Sequence, residues 1–327
     1  MRTLVTGATG FVGANLVRRL LGDGHEVHCL VRDLESRWRI DDIRGDLHLH
    51  VADLADADGV TAAVVRVRPE WIFHLAAHGA YPTETDVRRM IAVNVTGTVN
   101  LVEAALQTGF AAFVHTGSSS EYGFKDHAPA ETEWLEPNSD YAVTKAAATH
   151  HCRLTARRLD VPIVTLRLYS VFGPFEEPTR LLPTLVRRGL AGTLPPLVDP
   201  DVARDFVYVD DVVDACLLAA TRPGQERGAV YNVGTGVQTT VRDVVDVARC
   251  VLGLAAEPVW GSMPDRAWDT WVWIADPTRI RAALGWHPRV GVEDGFRRLV
   301  AWYQMTAPAS DATGRPGVPH GEPAVWS

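Results

Sequence analysis

"TGATGFVGANL", residues 6–16, sets Gly7, Gly10 and Gly13 at intervals of three. A short apolar run (2–5, "RTLV") precedes it, and its second half opens a helical pattern (14–21, "ANLVRRLL"). Strand, glycine turn and helix in that order make the geometry that cradles a pyrophosphate. Gly7 permits a tight turn, Gly10 lets backbone approach a phosphate, and Gly13 lets the helix pack on the strand. The helix start then offers unpaired N–H groups and the positive end of its dipole to an anion.

Outward from this turn the pattern repeats. "HEVHCLVRD" (25–33), "LHLHVADL" (47–54), "EWIFHLAA" (70–77), "AFVHTGS" (112–118) and "PIVTLRLYSVFG" (162–173) read as strands. Helical patterns at 60–68, 86–107 and 141–159 fall between them. This alternation predicts an α/β fold with a doubly wound, Rossmann-type parallel sheet. After residue 173 the rhythm breaks at Pro174, Pro178, Pro183, Pro195 and Pro196. We read 1–173 as an NADP-binding domain, with pieces near 204–236 returning to it. Residues 174–305 form mostly a smaller C-terminal α/β substrate lobe, and 306–327, rich in proline, a disordered tail.

Composition narrows the function. The 327 residues are 46% hydrophobic, enough for a large core. A net charge of -8 and no basic run argue against nucleic-acid binding. No 18-residue apolar stretch exists, so no membrane span is expected. The chain opens straight into "RTLVTG" without a leader pattern, and a cytoplasmic location is expected. Cys29, Cys152, Cys216 and Cys250 show no ligand-like spacing, so they read as reduced, mostly buried thiols, and no metal site is expected. Of 32 basic Lys and Arg residues, only Lys125 and Lys145 are lysines.

Two places carry chemistry. The strand "VHCLVRD" ends on Arg32 where a carboxylate would hold the ribose 2′-hydroxyl of NAD. Arg32 can pair with a 2′-phosphate, which favours NADP; it can also be a surface arginine beside Asp33. Asp53 after the third strand would accept from the adenine amino group. "YAVTK" then puts Tyr141 and Lys145 at i and i+4 on one helix face. To exchange protons near neutrality a phenol must fall about three units from its usual value near 10, about 4 kcal/mol. A neighbouring ammonium and a cationic nicotinamide would both push it that way. Ser118 ends the fifth strand at the carboxyl edge, where ligands bind in such sheets, and its hydroxyl suits the reacting oxygen. Ser119 and Ser120 are either substrate contacts or serines lining a turn. His78 either faces the nicotinamide pocket or is a satisfied buried histidine.

These motifs, with "NVTGTVNLVEAA" (94–105), "SSSEYG", "RDFVYVDD", "YNVGTG" and "LGW" (284–286), resemble the extended short-chain dehydrogenase/reductases that act on nucleotide sugars. The resemblance spans about 300 residues in order. It implies a Ser118–Tyr141–Lys145 triad and cofactor contacts from Gly7, Gly10, Phe11, Val12 and Gly13. It adds Asp53 with Leu54, and Leu75, Ala76 and Ala77. It also implies a nucleoside-diphosphate sugar substrate, with Arg204 and Arg266 on its diphosphate and Arg180 as a further candidate. Ser170 stands where the family often has asparagine. A homodimer built through a four-helix bundle is implied too.

Within that family, 4,6-dehydratases resemble this chain but carry an Asp-Glu pair directly after the serine or threonine. Here Ser119 and Ser120 take those positions, and Glu121 is one residue out of step. The sequence therefore favours an NADPH-dependent 4-ketoreductase acting on a nucleoside-diphosphate 4-keto-6-deoxysugar. The alternative is an NAD(P)-dependent nucleotide-sugar 4-epimerase.

Overall fold

The computed structural model describes residues 1–35, 38–81, 83–222, 226–263 and 270–306. Seven strands form one parallel sheet: β1 (Arg2–Thr6), β2 (Glu26–Val31), β3 (His48–Val51), β4 (Trp71–His74), β5 (Ala112–Ser118), β6 (Ile163–Leu168) and, far along the chain, Val230–Val233. Their spatial order places β1 centrally, with β2 and β3 on one side. On the other side follow β4, β5, β6 and the 230–233 strand. The direction of strand addition reverses beside β1, so the sheet has its switch point at the glycine turn.

Helices cover both faces: α1 (Phe11–Gly22), α2 (Ala57–Val67), α3 (Val87–Met90), α4 (Gly97–Thr108) and α5 (Asp140–Leu159). The strands alternate inward side chains as the pattern requires. Val27, Cys29 and Val31 of β2 enter a core with α1, whereas Leu4 and Leu30 meet Val60 and Val64 of α2 and Leu101 of α4 on the opposite face.

The expected strand over 162–173 is two strands. β6 ends at Leu168, and β7 (Ser170–Phe172) leaves the main sheet. β8 (Ala203–Arg204) and β9 (Phe206–Tyr208) follow; β7 pairs with β9 in parallel. The 230–233 strand is therefore β10, and β11 (Thr239–Thr240) pairs with β8. The apolar run is continuous, but its hydrogen-bonding partner changes at Tyr169, which local pattern does not record. The expected helix over 86–107 is likewise interrupted, by a π-helical stretch over Ile91–Thr96 between α3 and α4.

Helices α6 (Leu181–Leu190), α8 (Val241–Leu252) and α10 (Val292–Thr306) close a second core around Phe172, Phe206 and Tyr208. Helices α7 (Val209–Thr221) and α9 (Thr278–Leu284) join the main core instead. Trp286 returns there as well, its Nε1 donating to the Asp211 carbonyl at 2.8 Å. Return to the sheet thus extends past the expected 204–236. Thr306 is the last helical residue, and the rest of the expected tail lies outside the described residues. All four cysteines are free; three are buried and Cys250 is exposed. No described helix is long and apolar enough to cross a membrane.

Candidate active site

A cavity of about 790 Å³ runs along the carboxyl edge of the sheet, from the glycine turn to the second core. Its first end is built from backbone. Gly7 sits at φ +74°, and a Cβ there would lie 2.6 Å from the Ala76 nitrogen. A Cβ on Gly13 would lie 2.0 Å from the Gly7 carbonyl oxygen, so α1 can approach the turn only with glycine at that position. Helix α1 starts after Gly10 with no side-chain cap and no acidic residue in its first turn. Its leading N–H groups face the cavity with the helix dipole behind them, which fits the pyrophosphate of a dinucleotide.

The expected cofactor contacts Gly7, Gly10, Phe11, Val12, Gly13 and Arg32 all line this cavity, as do Asp53, Leu54, Leu75, Ala76 and Ala77. Two of them are engaged within the protein. Arg32 pairs with Asp33 at 3.0 Å and its side chain is 60% exposed. Asp53 accepts from Arg89 at 2.7 Å and from the Ala55 nitrogen at 2.9 Å. His78 lines the wall and pairs with Glu84 at 3.1 Å.

Ser118, Tyr141 and Lys145 meet on the same wall. Helix α5 carries the last two and is capped by Ser139, which accepts from the Ala142 nitrogen. Asn94, inside the π-helical stretch, ties this helix to the loop after β4. Its Oδ1 accepts from the His78 nitrogen at 2.8 Å, and its Nδ2 donates to the His78 carbonyl at 2.8 Å and to Thr144 Oγ1 at 2.9 Å. A π-stretch often marks a functional position, and here it aims an amide at both neighbours.

Electrostatics at the triad differ from expectation. Burial pushes the Tyr141 phenol up to about 12, with Glu121 adding to the rise and a hydrogen bond from Ser118 opposing it. Burial also pushes Lys145 down to about 8, against an upward pull from Glu121. Burial therefore dominates at Tyr141, and the charge that opposes it is that of Arg180.

Glu121 explains the serines. The strand ends at Ser118 and a 3₁₀ turn over Ser119–Tyr122 begins. Glu121 folds back beneath it, accepting from the Ser118 nitrogen at 2.8 Å and from Thr149 Oγ1 at 3.0 Å, and it pairs with Arg167 at 2.8 Å. A Cβ on Gly117 would lie 2.5 Å from Glu121 Oε1, so glycine there makes room for the carboxylate. Ser119 and Ser120 do not line the cavity. Ser119 Oγ accepts from Trp273 Nε1 at 3.2 Å, and the Ser120 hydroxyl is 2.7 Å from that of Ser118. Both therefore sit in the turn beside the cavity.

The far end is made by β7, β8 and the start of α6. Ser170, Arg180 and Arg204 line it; Arg180 donates to the Ala80 carbonyl at 2.8 Å and Arg204 lies over the Trp273 ring. Arg266 lies outside the described residues. Sequence reasoning took Arg180 from the loop after Pro174 and missed Glu176 within it. Arg39 clamps this loop, donating to the Phe175 carbonyl at 2.7 Å and pairing with Glu177 at 3.1 Å. Asn15 holds the Pro174 carbonyl at 2.9 Å. Glu176, 8% exposed, is carried into the cavity wall with Oε2 lacking a partner. Burial lifts its carboxyl to about 8. Nothing local in "PFEEP" separates Glu176 from a surface glutamate.

The family model described as "NAD dependent epimerase/dehydratase family" matches residues 3–234. A UDP-glucose 4-epimerase of Mycolicibacterium smegmatis is 35% identical over 93% of this chain and 99% of its own. A dTDP-glucose 4,6-dehydratase of Streptomyces griseus is 32% identical over 92% and 93%. The structure of a Thermus thermophilus UDP-glucose 4-epimerase in complex with NAD superposes with a TM-score of 0.83. It is 30% identical and covers 94% of this chain and all of its own. The chain is thus an enzyme of the extended short-chain dehydrogenase/reductase type and belongs to the NAD dependent epimerase/dehydratase family.

Proposed function

We propose that the protein is a nucleoside-diphosphate-hexose 4-epimerase that uses NAD. One observation carries this reading: Ser118, Tyr141 and Lys145 line the cavity while Glu121, the carboxylate that follows the serines, is turned away into a buried pair with Arg167. Hydride exchange at a sugar carbinol is served, and the acid–base pair that eliminates water in a dehydratase is missing from those positions. The epimerase relatives support this branch over the 4-ketoreductase expected from Arg32. Arg32 already pairs with Asp33, so a 2′-phosphate would meet a carboxylate beside the arginine, which supports NAD over NADP.

The glycine turn and α1 would hold the pyrophosphate, and Lys145 the nicotinamide ribose. NAD held there would supply a hydride acceptor and donor for C4 of the sugar. Tyr141 takes the O4 proton and gives it back, and Ser118 donates to the same oxygen. With its phenol near 12, Tyr141 ionises only with help. That help comes from Ser118, from the Arg180 charge, and from the positive nicotinamide when it is bound. Arg180 and Arg204 would take the sugar's diphosphate.

The test supplies UDP-glucose deuterated at C4, with NAD. UDP-galactose that keeps its deuterium, formed without net change in reduced nicotinamide, is the expected result. Net consumption of NADPH with a 4-keto sugar would instead establish the reductase. Tyr141→Phe should retain NAD binding and lose roughly 10²–10⁴ in turnover; near-normal turnover would remove Tyr141 from the proton path.

We also propose that two chains pair through α5. Val143, Ala147, His150 and Leu154 are exposed at i, i+4, i+7 and i+11, one face of that helix. Sedimentation should return twice the 35.7 kDa chain mass; a single-chain mass at micromolar concentration would reject the pairing.

A further inference from the structure

We propose that β2 and β3 carry a transition-metal site, formed by Glu26, His28 and His48 with His50 as the orienting partner, that takes one zinc-class divalent ion. The two strands are parallel and in register, with His28 opposite His48 and Leu30 opposite His50. Side chains two apart on a strand share a face. Glu26 with His28, and His48 with His50, therefore lie on one side of the strand pair, staggered so that His28 and His48 stand side by side.

The contacts inside the array are those of a ligand set. Donor atoms of Glu26, His28 and His48 lie within 4.8 Å of one another. His28 Nε2 is 3.0 Å from Glu26 Oε1, and His28 Nδ1 is 2.9 Å from His50 Nε2. The His28 and His48 rings stack with centroids 4.6 Å apart. When His28 Nδ1 donates to His50, the lone pair on Nε2 points at the Glu26 carboxylate, and a cation between them satisfies both. A ligating histidine that gives its other N–H to a neighbour is the usual arrangement at metal sites.

The surroundings limit the ion. Arg2 touches Glu26 Oε2 at 3.3 Å, leaving Oε1 for the metal. Arg2 and Arg66 are the facing cations that oppose binding, so the single carboxylate matters. Two imidazole nitrogens and one carboxylate oxygen suit zinc, nickel, cobalt or copper and exclude calcium and magnesium. Glu26 and His48 are exposed, so water can complete the coordination. β3 is the edge strand of the sheet. A shared ion would clip that edge to β2 at the strand starts, away from Val31 and Asp53, where the cavity begins.

The experiment uses untagged full-length protein, stripped with a chelator and titrated with zinc chloride by calorimetry. One zinc per chain is expected, with a rise in melting temperature that magnesium does not reproduce. His48→Gln and Glu26→Gln, both exposed positions, should each weaken zinc binding at least tenfold and abolish the melting shift, with NAD binding unchanged. No zinc uptake by the unaltered chain, or equal affinity in the chain and its His48→Gln variant, would overturn the proposal.

Discussion

The turn after β5 and the loop after β7 each bury a glutamate, and they treat it in opposite ways. Glu121 is fully enclosed and receives a backbone N–H, a threonine hydroxyl and the Arg167 guanidinium. Glu176 is nearly as deep, yet one of its oxygens has no partner and its carboxyl rises to about 8. Arg180 is the cation that opposes this rise. Depth alone does not set a carboxylate's behaviour; completion of its hydrogen bonds does. The completed group holds the turn after β5 in one shape. The incomplete one sits on the cavity wall and answers to pH.

The largest effect expected from this contrast is on the completed side. Arg167→Met should cost about 3–5 kcal/mol of stability, because it strands the Glu121 carboxylate in the interior. Denaturant unfolding would measure it. A loss under about 1 kcal/mol would mean that the pair contributes little and the contrast is false. The double change Arg167→Met with Glu121→Gln should recover part of the loss.

Glu176→Gln is the smaller, pH-dependent case. A carboxyl whose folded value is raised from 4.5 to about 8 contributes stability that is complete below its unfolded value and is lost as pH rises through the folded one. The amide stays neutral throughout. Melting temperatures of the variant and the parent should therefore separate progressively between about pH 5 and pH 9, the variant being the more stable at the alkaline end. Parallel curves across that range would show that Glu176 ionises normally.

Arg32→Ala marks the lower limit. Its pair with Asp33 is largely in water, where such contacts contribute from nothing to about 1 kcal/mol. Unfolding should shift by less than that, and the NAD dissociation constant by less than about twofold. A selective loss of NADP binding, measured alongside, would instead restore the 2′-phosphate role for this arginine.

Much of the catalytic end was legible before folding was considered. The glycine spacing, the i, i+4 pair of Tyr141 and Lys145, and Ser118 at a strand end all depend on local geometry, which local sequence encodes. The same was true of β5, whose bounds agree with the pattern. The split at Tyr169 was not legible, because a strand's partner is chosen at a distance: residues 170–172 leave β6's sheet to meet 206–208. The π-stretch at Asn94 was hidden for the same reason, since its partners come from His78 and Thr144. Motifs that carried the resemblance also hold structural ties. Asp205 accepts from the Thr235, Gly236 and Ala275 nitrogens, and Asp211 from those of Arg289 and Val290.

By itself, the sequence determined a parallel sheet, a dinucleotide turn and a Ser–Tyr–Lys constellation. Each follows from periodicities of two and 3.6 residues and from what glycine permits. Tertiary structure alone decided the electrostatics. It buried Tyr141, set Ser119 and Ser120 in a turn, withdrew Glu121 and placed Glu176 in the cavity wall. Solvation and completed hydrogen bonds depend on neighbours brought from far along the chain, and no local pattern carries that information.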